Sequence, residues 1–263
     1  MSQYGMIIDL DKCVGCHACA IACKAEWEVP ATKGRNWVKR LGPSNTPHGL
    51  ASTYYPGLCN HCDEPACVGL CPVDPVEMTF KDAKTGKTQT MEVLATWKDP
   101  FDGTVQIDKE RCVGCGACAD ACPYTARYIN DEGDEPKADK CTFCVERRDQ
   151  GLDPACVQTC LAGARIFGDL NDPQSEVAKY VKNGAAKLES ANVKIGPNVR
   201  YYGNKRDMSL LTSTSIPQNM PEANRRRAVM ARMMMPAMKQ IKNIGLLGLA
   251  GALVVKGLEE KKE

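Results

Sequence analysis

Four cysteines in the middle of the chain are spaced as ligands for an iron–sulfur cluster. The segment Cys112–Pro123 reads CVGCGACADACP, a C-x2-C-x2-C-x3-C-P pattern that holds [4Fe–4S] clusters. A cubane offers four iron corners, and each corner takes one thiolate. Ligands this close in sequence need a tight turn, which Gly114 and Gly116 permit because glycine adopts positive φ at little cost. The segment therefore predicts a [4Fe–4S] site.

The chain has 16 cysteines in 263 residues, and they fall into four groups of four with none left over. Group one is Cys13, Cys16, Cys19 and Cys23; group two is Cys59, Cys62, Cys67 and Cys71; group three is Cys112, Cys115, Cys118 and Cys122; group four is Cys141, Cys144, Cys156 and Cys160. A disulfide scaffold this dense is typical of shorter secreted chains. Zinc fits groups two and four, but three cysteines crowd within seven residues in groups one and three. A zinc-stabilised structural protein is therefore the alternative from another class.

Short strands and helices are expected to position these cysteines. Met6–Asp9 and Val105–Asp108 are predicted strands that lead into cysteine loops, and Ala18–Ala25 and Ala117–Ala121 are predicted helices that follow. Asn36–Pro56 is predicted to be an irregular connection.

The remaining elements are predicted from turn and cap signals. Lys84–Trp97 is predicted to form a hairpin with Gly103–Asp108 nearby. We expect helices at Lys140–Arg148 and Pro154–Ala162, and a strand at Ala164–Asp169. Asp172 and Pro173 are predicted to begin a further helix, as N-cap and first helical residue, that ends near Asn183.

The cysteine motifs are repeated along the chain. Ile8–Cys23 (IDLDKCVGCHACAIAC) matches Ile107–Cys122 (IDKERCVGCGACADAC) at a constant offset of 99 residues. Group two ends EPACVGLC and group four ends DPACVQTC. The order is therefore A-B-A′-B′, which indicates a duplicated pair of motifs.

Composition and motifs give no support for several classes of function. Net charge is +2, from 34 basic and 32 acidic residues, so it gives no argument for nucleic-acid binding. Aromatic content of 6% is thin for a large core, so we expect metal binding and folding to be coupled. We find no Ser–His–Asp set, phosphate loop or paired-carboxylate site, and we expect no catalytic site in this chain.

The two ends of the sequence differ from its middle. The first nine residues lack the pattern of a signal peptide, so we expect the chain to stay in the cytoplasm or to be exported folded with a partner. Residues 206–263 are predicted to be a linker and a tail, with a basic, Met-rich Arg225–Lys242. The uncharged Ile244–Val255 is too short for a span, which needs about 20 apolar residues. It suits a helix at a membrane surface or on another protein chain.

The four groups, with CTFCVERRDQGLDPACVQTC (Cys141–Cys160) and ARIFGDLNDP (Ala164–Pro173), resemble the iron–sulfur beta subunits of complex molybdopterin oxidoreductases. That family includes subunits of dimethyl-sulfoxide, polysulfide, tetrathionate and arsenate reductases, of some formate dehydrogenases, and of related quinone reductase complexes. The resemblance covers roughly residues 4–203. It implies an α+β fold of two pseudo-symmetric bacterial-ferredoxin-like modules with short strands, short helices and long loops, followed by a C-terminal helical tail. Residues 1–205 would form the four-cluster domain.

The resemblance also implies which cysteines share a cluster. The repeat alone favours pairing group one with two and group three with four, whereas the family pairs one with four and two with three. In the family the last cysteine of each group crosses to the neighbouring cluster. The implied ligand sets are Cys13, Cys16, Cys19 and Cys160; Cys141, Cys144, Cys156 and Cys23; Cys59, Cys62, Cys67 and Cys122; Cys112, Cys115, Cys118 and Cys71. Pro72 and Pro123 follow groups two and three, which agrees with this pairing.

The function implied is electron transfer through four [4Fe–4S] clusters. The partners would be a molybdopterin-family catalytic subunit and a quinone-reactive integral membrane subunit or a cytochrome. The complex would be membrane-associated, and we expect it on the periplasmic side, with the cytoplasmic side as the alternative. The competing function is a free-standing soluble polyferredoxin. His17 and His61 lie inside cysteine motifs and are predicted to pack rather than to bind iron.

Overall fold

A four-stranded sheet joins the two ends of the described chain. The computed structural model describes residues 1–133 and 135–221. Strand β1 (Tyr4–Asp9) lies between β10 (Arg165–Asp169), which is antiparallel to it, and β12 (Val199–Tyr202), which is parallel. The two-residue β11 (Ala186–Lys187) completes the order β10-β1-β12-β11. Since β1 is central, its Met6, Ile7 and Ile8 side chains are fully buried.

A long hairpin replaces the irregular connection expected at Asn36–Pro56, so that prediction is wrong. Strands β2 (Asn36–Thr46) and β3 (Gly49–Leu58) pair antiparallel. The register shifts between Leu41 and Ser44, at the position of Pro43. Because proline cannot donate to a strand ladder, it is tolerated at such a bulge. The Gly-Pro pair that favoured a loop therefore marks a bulge inside a strand.

Three small hairpins carry the middle of the chain. They are β4 (Val76–Lys81) with β5 (Thr88–Val93), β6 (Thr96–Lys98) with β7 (Val105–Ile107), and β8 (Arg127–Asn130) with β9 (Lys137–Lys140). The sequence predicted one hairpin over Lys84–Trp97 and Gly103–Asp108. The structure divides this region in two, because β5 pairs with β4 and only β6 pairs with β7.

Five short helices lie in or next to the cysteine motifs, and a sixth follows β10. They are α1 (Ala18–Trp27), α2 (Ala66–Gly69), α3 (Ala117–Asp120), α4 (Val145–Arg148), α5 (Ala155–Gln158) and α6 (Glu176–Lys182). The strands predicted to lead into the loops, and α1 and α3, are confirmed. The α+β class is confirmed as well.

Two predicted helices are interrupted by the geometry of the cysteine loops. Lys140 ends a strand, and Phe143 and Cys144 have φ of 53° and 50°, so a continuous helix over Lys140–Arg148 cannot form. The helix predicted over Pro154–Ala162 ends earlier, at Gln158.

Helix α6 starts after Ser175, whose hydroxyl accepts a hydrogen bond from the Ala178 amide, so the N-cap predicted at Asp172 is also wrong.

The sequence repeat is visible in the backbone. Asp9 and Asp108 each accept hydrogen bonds from the amides two and three residues later, which turns the chain toward the first cysteine of groups one and three. Gly15 and Gly114, also 99 residues apart, have φ of 68° and 66°. The two motifs therefore fold alike.

Helix α7 (Lys205–Ser215) lies in the region expected to begin a linker, and it packs on β2 and β3. Its Leu211 belongs to the same buried cluster as Tyr55 and Leu58. Arg225–Lys242 and Ile244–Val255 lie outside the described residues. Within residues 1–133 and 135–221, no helix is long and apolar enough to cross a membrane.

Candidate iron–sulfur centres

Four cysteines from distant parts of the chain line one cavity, which we call site A. They are Cys13, Cys16, Cys19 and Cys160. Group one reaches the cavity through the loop between β1 and α1. That loop passes so close to the Tyr54 ring that a Cβ at Gly15 would collide with it, so only glycine fits this turn. Site A thus combines three cysteines of group one with the last cysteine of group four.

The complementary set lines a second cavity, site B. It consists of Cys141, Cys144, Cys156 and Cys23. Helix α1 presents Cys23 to the cavity, and α5 presents Cys156. The Trp27 indole, at the end of α1, donates a hydrogen bond to Cys144 Sγ over 3.3 Å. Such a hydrogen bond to sulfur is one means by which proteins tune iron–sulfur centres.

Groups two and three are interleaved in the same way. Site D is a cavity lined by Cys112, Cys115, Cys118 and Cys71. The other four cysteines, Cys59, Cys62, Cys67 and Cys122, are neighbours of one another, and we call them site C. Burial raises the pKa of the Cys62 thiol, and the adjacent Cys59, Cys122 and Cys67 raise it further. The structure therefore brings each last cysteine to the thiols of another group.

All sixteen cysteines, which lie within the described part of the chain, are free thiols rather than disulfides. Burial raises the pKa of Cys23 and of Cys122 to about 12, and that of Cys156 to about 11. Buried thiols of this kind stay protonated unless a cation replaces the proton. Metal loading is then coupled to proton release.

Backbone amides are directed at the ligand sulfurs in a repeated pattern. The Ala126 amide donates to Cys122 Sγ over 3.4 Å, and the Ala164 amide donates to Cys160 Sγ over 3.2 Å. In both cases the donor lies four residues after the last cysteine of its group. Amides in this position stabilise negative charge on sulfur, as a thiolate ligand requires.

Charge balance gives a test of whether a cluster fits these sites. The Nε and Nη1 atoms of Arg127 and the Nη2 atom of Arg165 are buried without a hydrogen-bond partner among the described residues. A buried cation is costly unless an anionic group faces it. Thiolate-held clusters supply that negative charge, and soft sulfur ligands suit iron–sulfur centres. The residues present therefore fit [4Fe–4S] clusters.

A single-ion site fits less well. Across residues 1–133 and 135–221, no three Cys, His, Asp or Glu side chains are arranged to hold one metal ion. A structural zinc site requires four ligands about 2.0–2.3 Å from one ion. The thiols of these sites do not converge in that manner.

The cations that flank cysteines in sequence mostly donate hydrogen bonds to backbone carbonyl oxygens. The Lys24 ammonium donates to the carbonyl oxygens of Pro30, Ala31 and Lys33. The Arg111 guanidinium donates to the carbonyl oxygens of Val93 and Leu94 at the end of β5, and of Asp74 shortly before β4. Only Lys140 is fully buried among the thiols, and its ammonium donates to two backbone carbonyls.

The sequence reasoning missed Arg127 and Arg165. Both are at least 95% buried beside thiols. Each stands five residues after the last cysteine of its group, in CPYTAR and CLAGAR. That shared C-x4-R spacing is the signal that could have identified them.

The two histidines in the motifs differ in environment. His17 is exposed and precedes α1 with φ of 61°. His61 is fully buried, and its Nδ1 accepts a hydrogen bond from the Val105 amide over 2.9 Å. Burial, and then the nearby Lys140 charge, hold the pKa of His61 well below its ordinary value, so the ring is neutral. His61 therefore lies in the interior as a neutral ring whose Nδ1 is engaged by the backbone.

Known proteins with [4Fe–4S] domains are similar to this chain. A family model described as "4Fe-4S dicluster domain" matches residues 50–170, and a "4Fe-4S binding domain" model matches residues 4–25. The tetrathionate reductase B subunit of Salmonella typhimurium is 40% identical over 208 residues, covering 76% of this chain and 72% of that protein. The chain belongs to this family of reductase iron–sulfur subunits.

Other members are similar along comparable lengths. The polysulfide reductase B polypeptide of Wolinella succinogenes is 34% identical over 206 residues, covering 78% of this chain and 96% of that protein. The arsenate respiratory reductase iron–sulfur subunit of Shewanella sp. is 33% identical over 246 residues, covering 76% and 95%. The predicted family is confirmed. As a member of it, the chain is an iron–sulfur electron-transfer subunit with multiple [4Fe–4S] clusters.

Proposed function

We propose that the chain holds four [4Fe–4S] clusters, one at each of sites A to D. It transfers single electrons between a molybdopterin-family catalytic subunit and a quinone-reactive integral membrane subunit or a cytochrome. The observation that carries this proposal is the interleaving of the cysteine groups. Three cavities are each lined by three cysteines of one group and the last cysteine of another.

Each cluster, when bound, supplies a site that gains and loses one electron. The chain's own residues hold it, exclude water from it and direct charges and dipoles at it. Amides such as those of Ala126 and Ala164 stabilise the ligand sulfurs, and the apolar core surrounds sites B and C. Burial and hydrogen bonding of this kind set reduction potentials.

The sites are arranged as neighbours in the order A, B, C, D. Arg165 lines site A and lies 3.9 Å from Cys156 Sγ of site B. Cys141 of site B and Cys59 of site C lie in the same buried cluster. Arg127 lines site D and is also a neighbour of Cys59 and Cys67 of site C. This order supports a continuous row of one-electron centres.

The two ends of the row are accessible, whereas its middle is buried. Cys16 of site A and Cys115 of site D are exposed, and most cysteines of sites B and C are buried. Apolar side chains surround the exposed ends: Leu161 and Val14 at site A are 80% and 58% exposed, and Val113 at site D is 44% exposed. Exposed apolar groups beside an electron-transfer site suit a protein partner. We assign one partner to each end.

The named relatives are subunits of tetrathionate, polysulfide and arsenate reductases. By this analogy we place the chain in a membrane-associated complex on the periplasmic side, to which it is exported with a partner.

Purification of the native complex under anaerobic conditions tests the proposal. We expect about sixteen iron atoms and sixteen acid-labile sulfides per chain, since four complete cysteine sets hold four cubanes. We also expect the chain to copurify with a molybdenum-containing subunit. A chain that purifies alone with full iron content would instead be a soluble polyferredoxin. Zinc, or about eight irons, would rule out four clusters.

A further inference from the structure

Two buried arginines occupy equivalent places in the two halves of the cluster region. Arg127 is the first residue of β8, and Arg165 is the first residue of β10. Each directly follows the alanine whose amide donates to the last cysteine of its group. The C-x3-A-R turn therefore fixes both a hydrogen bond to sulfur and a guanidinium.

Each arginine lies between two cluster sites. Arg165 lines site A, and its Nη1 is 3.9 Å from Cys156 Sγ of site B. Arg127 lines site D, and the neighbouring thiols include Cys67 and Cys59 of site C. One guanidinium thus serves sites A and B, and the other serves sites C and D.

None of the ion pairs identified among the described residues includes Arg127 or Arg165. Arg127 Nη2 donates to Thr96 Oγ1 over 2.9 Å, and the Cys118 sulfur of site D is a further neighbour of the guanidinium; its Nε and Nη1 have no hydrogen-bond partner among the described residues. Arg165 Nη1 is 3.6 Å from Met6 Sδ, and its Nη2 has no partner. Since an uncompensated buried charge is costly, the compensation must come from the cysteines and what they hold.

Arg35, in the same region, is an arginine whose charge is neutralised by a carboxylate. It is also buried and lines site B. Its Nε and Nη2 pair with the two carboxylate oxygens of Asp139 over 3.0 and 2.9 Å. The charges of this pair largely cancel at the thiols, which is not the case for Arg127 or Arg165.

We propose that Arg127 and Arg165 are positioning residues that set the reduction potentials of the clusters in pairs. Arg165 raises the potentials at sites A and B, and Arg127 raises those at sites C and D. A reduced cluster is one charge more negative than an oxidised one, so a fixed cation favours reduction. The effect is strong because the low dielectric of the interior screens little. This inference rests on the assignment of clusters to the four sites proposed above.

Redox titration of the full chain in its native complex, followed by electron paramagnetic resonance, tests the inference. Arg127→Gln removes the charge with little change of polarity. We expect the reduction equilibria of two clusters to shift at least tenfold against reduction, or 59 mV for a one-electron couple. The other two should not move. Arg165→Gln should shift the complementary pair, and Arg127→Lys and Arg165→Lys should restore the original potentials.

The double variant Arg35→Gln/Asp139→Asn is the matched control. It removes a buried guanidinium together with its carboxylate, so we expect a shift well below tenfold. Unchanged potentials in Arg127→Gln and Arg165→Gln would overturn the inference, as would equal shifts in all four clusters.

Failure of a variant to assemble is also decisive. If Gln variants do not load iron but Lys variants load fully with native potentials, charge balance is required and the inference stands. If neither the Gln nor the Lys variants load iron, the arginine side chain is needed for packing and the inference is wrong. Iron analysis of the unsubstituted chain tests the proposed cluster number separately, so a wrong number and a wrong role for arginine are distinguishable.

Discussion

His61 and Phe143 stack on each other with ring centroids 3.8 Å apart and an interplanar angle of 18°. They occupy the same place in their motifs, immediately before the second cysteine of groups two and four. Both are fully buried, and both have positive φ, 44° and 53°. The two repeats of the chain therefore meet through equivalent side chains. Phe143 lines site B, and His61 directly precedes Cys62 of site C.

Phe143→Ala should loosen the contact between the repeats. Truncation of a buried phenylalanine costs about 3–5 kcal/mol of unfolding free energy, through lost burial and the cavity left behind. The measurement is the denaturant concentration at which visible iron–sulfur absorption is lost under anaerobic conditions. Phe80→Ala, in the peripheral hairpin β4–β5, is the control and should leave sites B and C intact at that concentration. An unchanged midpoint for Phe143→Ala would show that the stack does not hold the repeats together.

His61→Phe should weaken the fold without removing iron. The ring still fills the space against Phe143, but the Val105 amide loses its acceptor. A buried amide without a partner costs about 1–3 kcal/mol. Iron and sulfide content should equal that of the unsubstituted chain, because we predict that His61 packs rather than binds iron. Loss of one cluster from this variant would instead make His61 an iron ligand.

Asp169 should stabilise the protein at neutral pH and lose this effect in acid. Its carboxylate accepts from the Gln3 and Asn171 amides and from Lys84. Burial raises its pKa, but hydrogen bonds from Ser2, Gln3 and Lys84 more than offset burial, so the pKa lies below its ordinary value. The charged form is thus favoured by folding. The contribution is complete above the unfolded pKa of about 3.9 and is lost as the pH falls through the folded pKa.

Asp169→Asn measures that contribution. We expect a loss of about 1.5–3 kcal/mol at neutral pH, typical of hydrogen bonds to a charged group. The difference from the unsubstituted chain should stay constant down to about pH 4 and narrow only as the denaturation series is extended to lower pH. Asp172→Asn, an exposed neighbour in the same loop, is the control and should have little effect at any pH. A constant difference across the series would contradict the role of ionisation.

Cys122→Ser should damage the cluster at site C. Cys122 belongs to group three in sequence but lies with the thiols of group two. Its electron paramagnetic resonance spectrum should therefore resemble that of Cys67→Ser. The spectrum should differ from that of Cys118→Ser, because Cys118 lines site D. If Cys122→Ser and Cys118→Ser give the same spectrum, the ligand sets are not crossed.

Truncation after Pro221 should weaken attachment to the membrane or to the quinone-reactive partner. The removed part contains the basic Arg225–Lys242 and the apolar Ile244–Val255, a combination suited to a membrane interface. All four clusters should remain spectroscopically intact, since every cysteine precedes the truncation. The measurement is the distribution of the complex between membrane and soluble fractions. Unchanged attachment with oxygen-labile clusters would mean that the tail shields the clusters instead.

The cysteine sites were predictable because ligand chemistry fixes both residue type and spacing. The predicted strand and helix on either side of each C-x2-C-x2-C loop followed from the repeat, and they are confirmed in β1, α1, β7 and α3. The hairpin β2–β3 was missed because its bulge carries Gly42 and Pro43, which ordinarily end a strand. Arg127 and Arg165 were missed because a charged residue five positions from a ligand is usually exposed. Only the folded structure shows that these two side chains are buried.

The pairing of the N-terminal strand β1 with β10 and β12 gives the sites an order of completion during synthesis. Every cysteine near sites C and D has left the ribosome once Cys122 has emerged. Site A is complete only after Cys160 has been synthesised. The sheet that holds β1 beside it forms only after β10 and β12, which are synthesised later. The cysteines made first are therefore the ones that remain longest without their partners. In a growing chain, group one is the part most exposed to oxidation and to capture of the wrong metal.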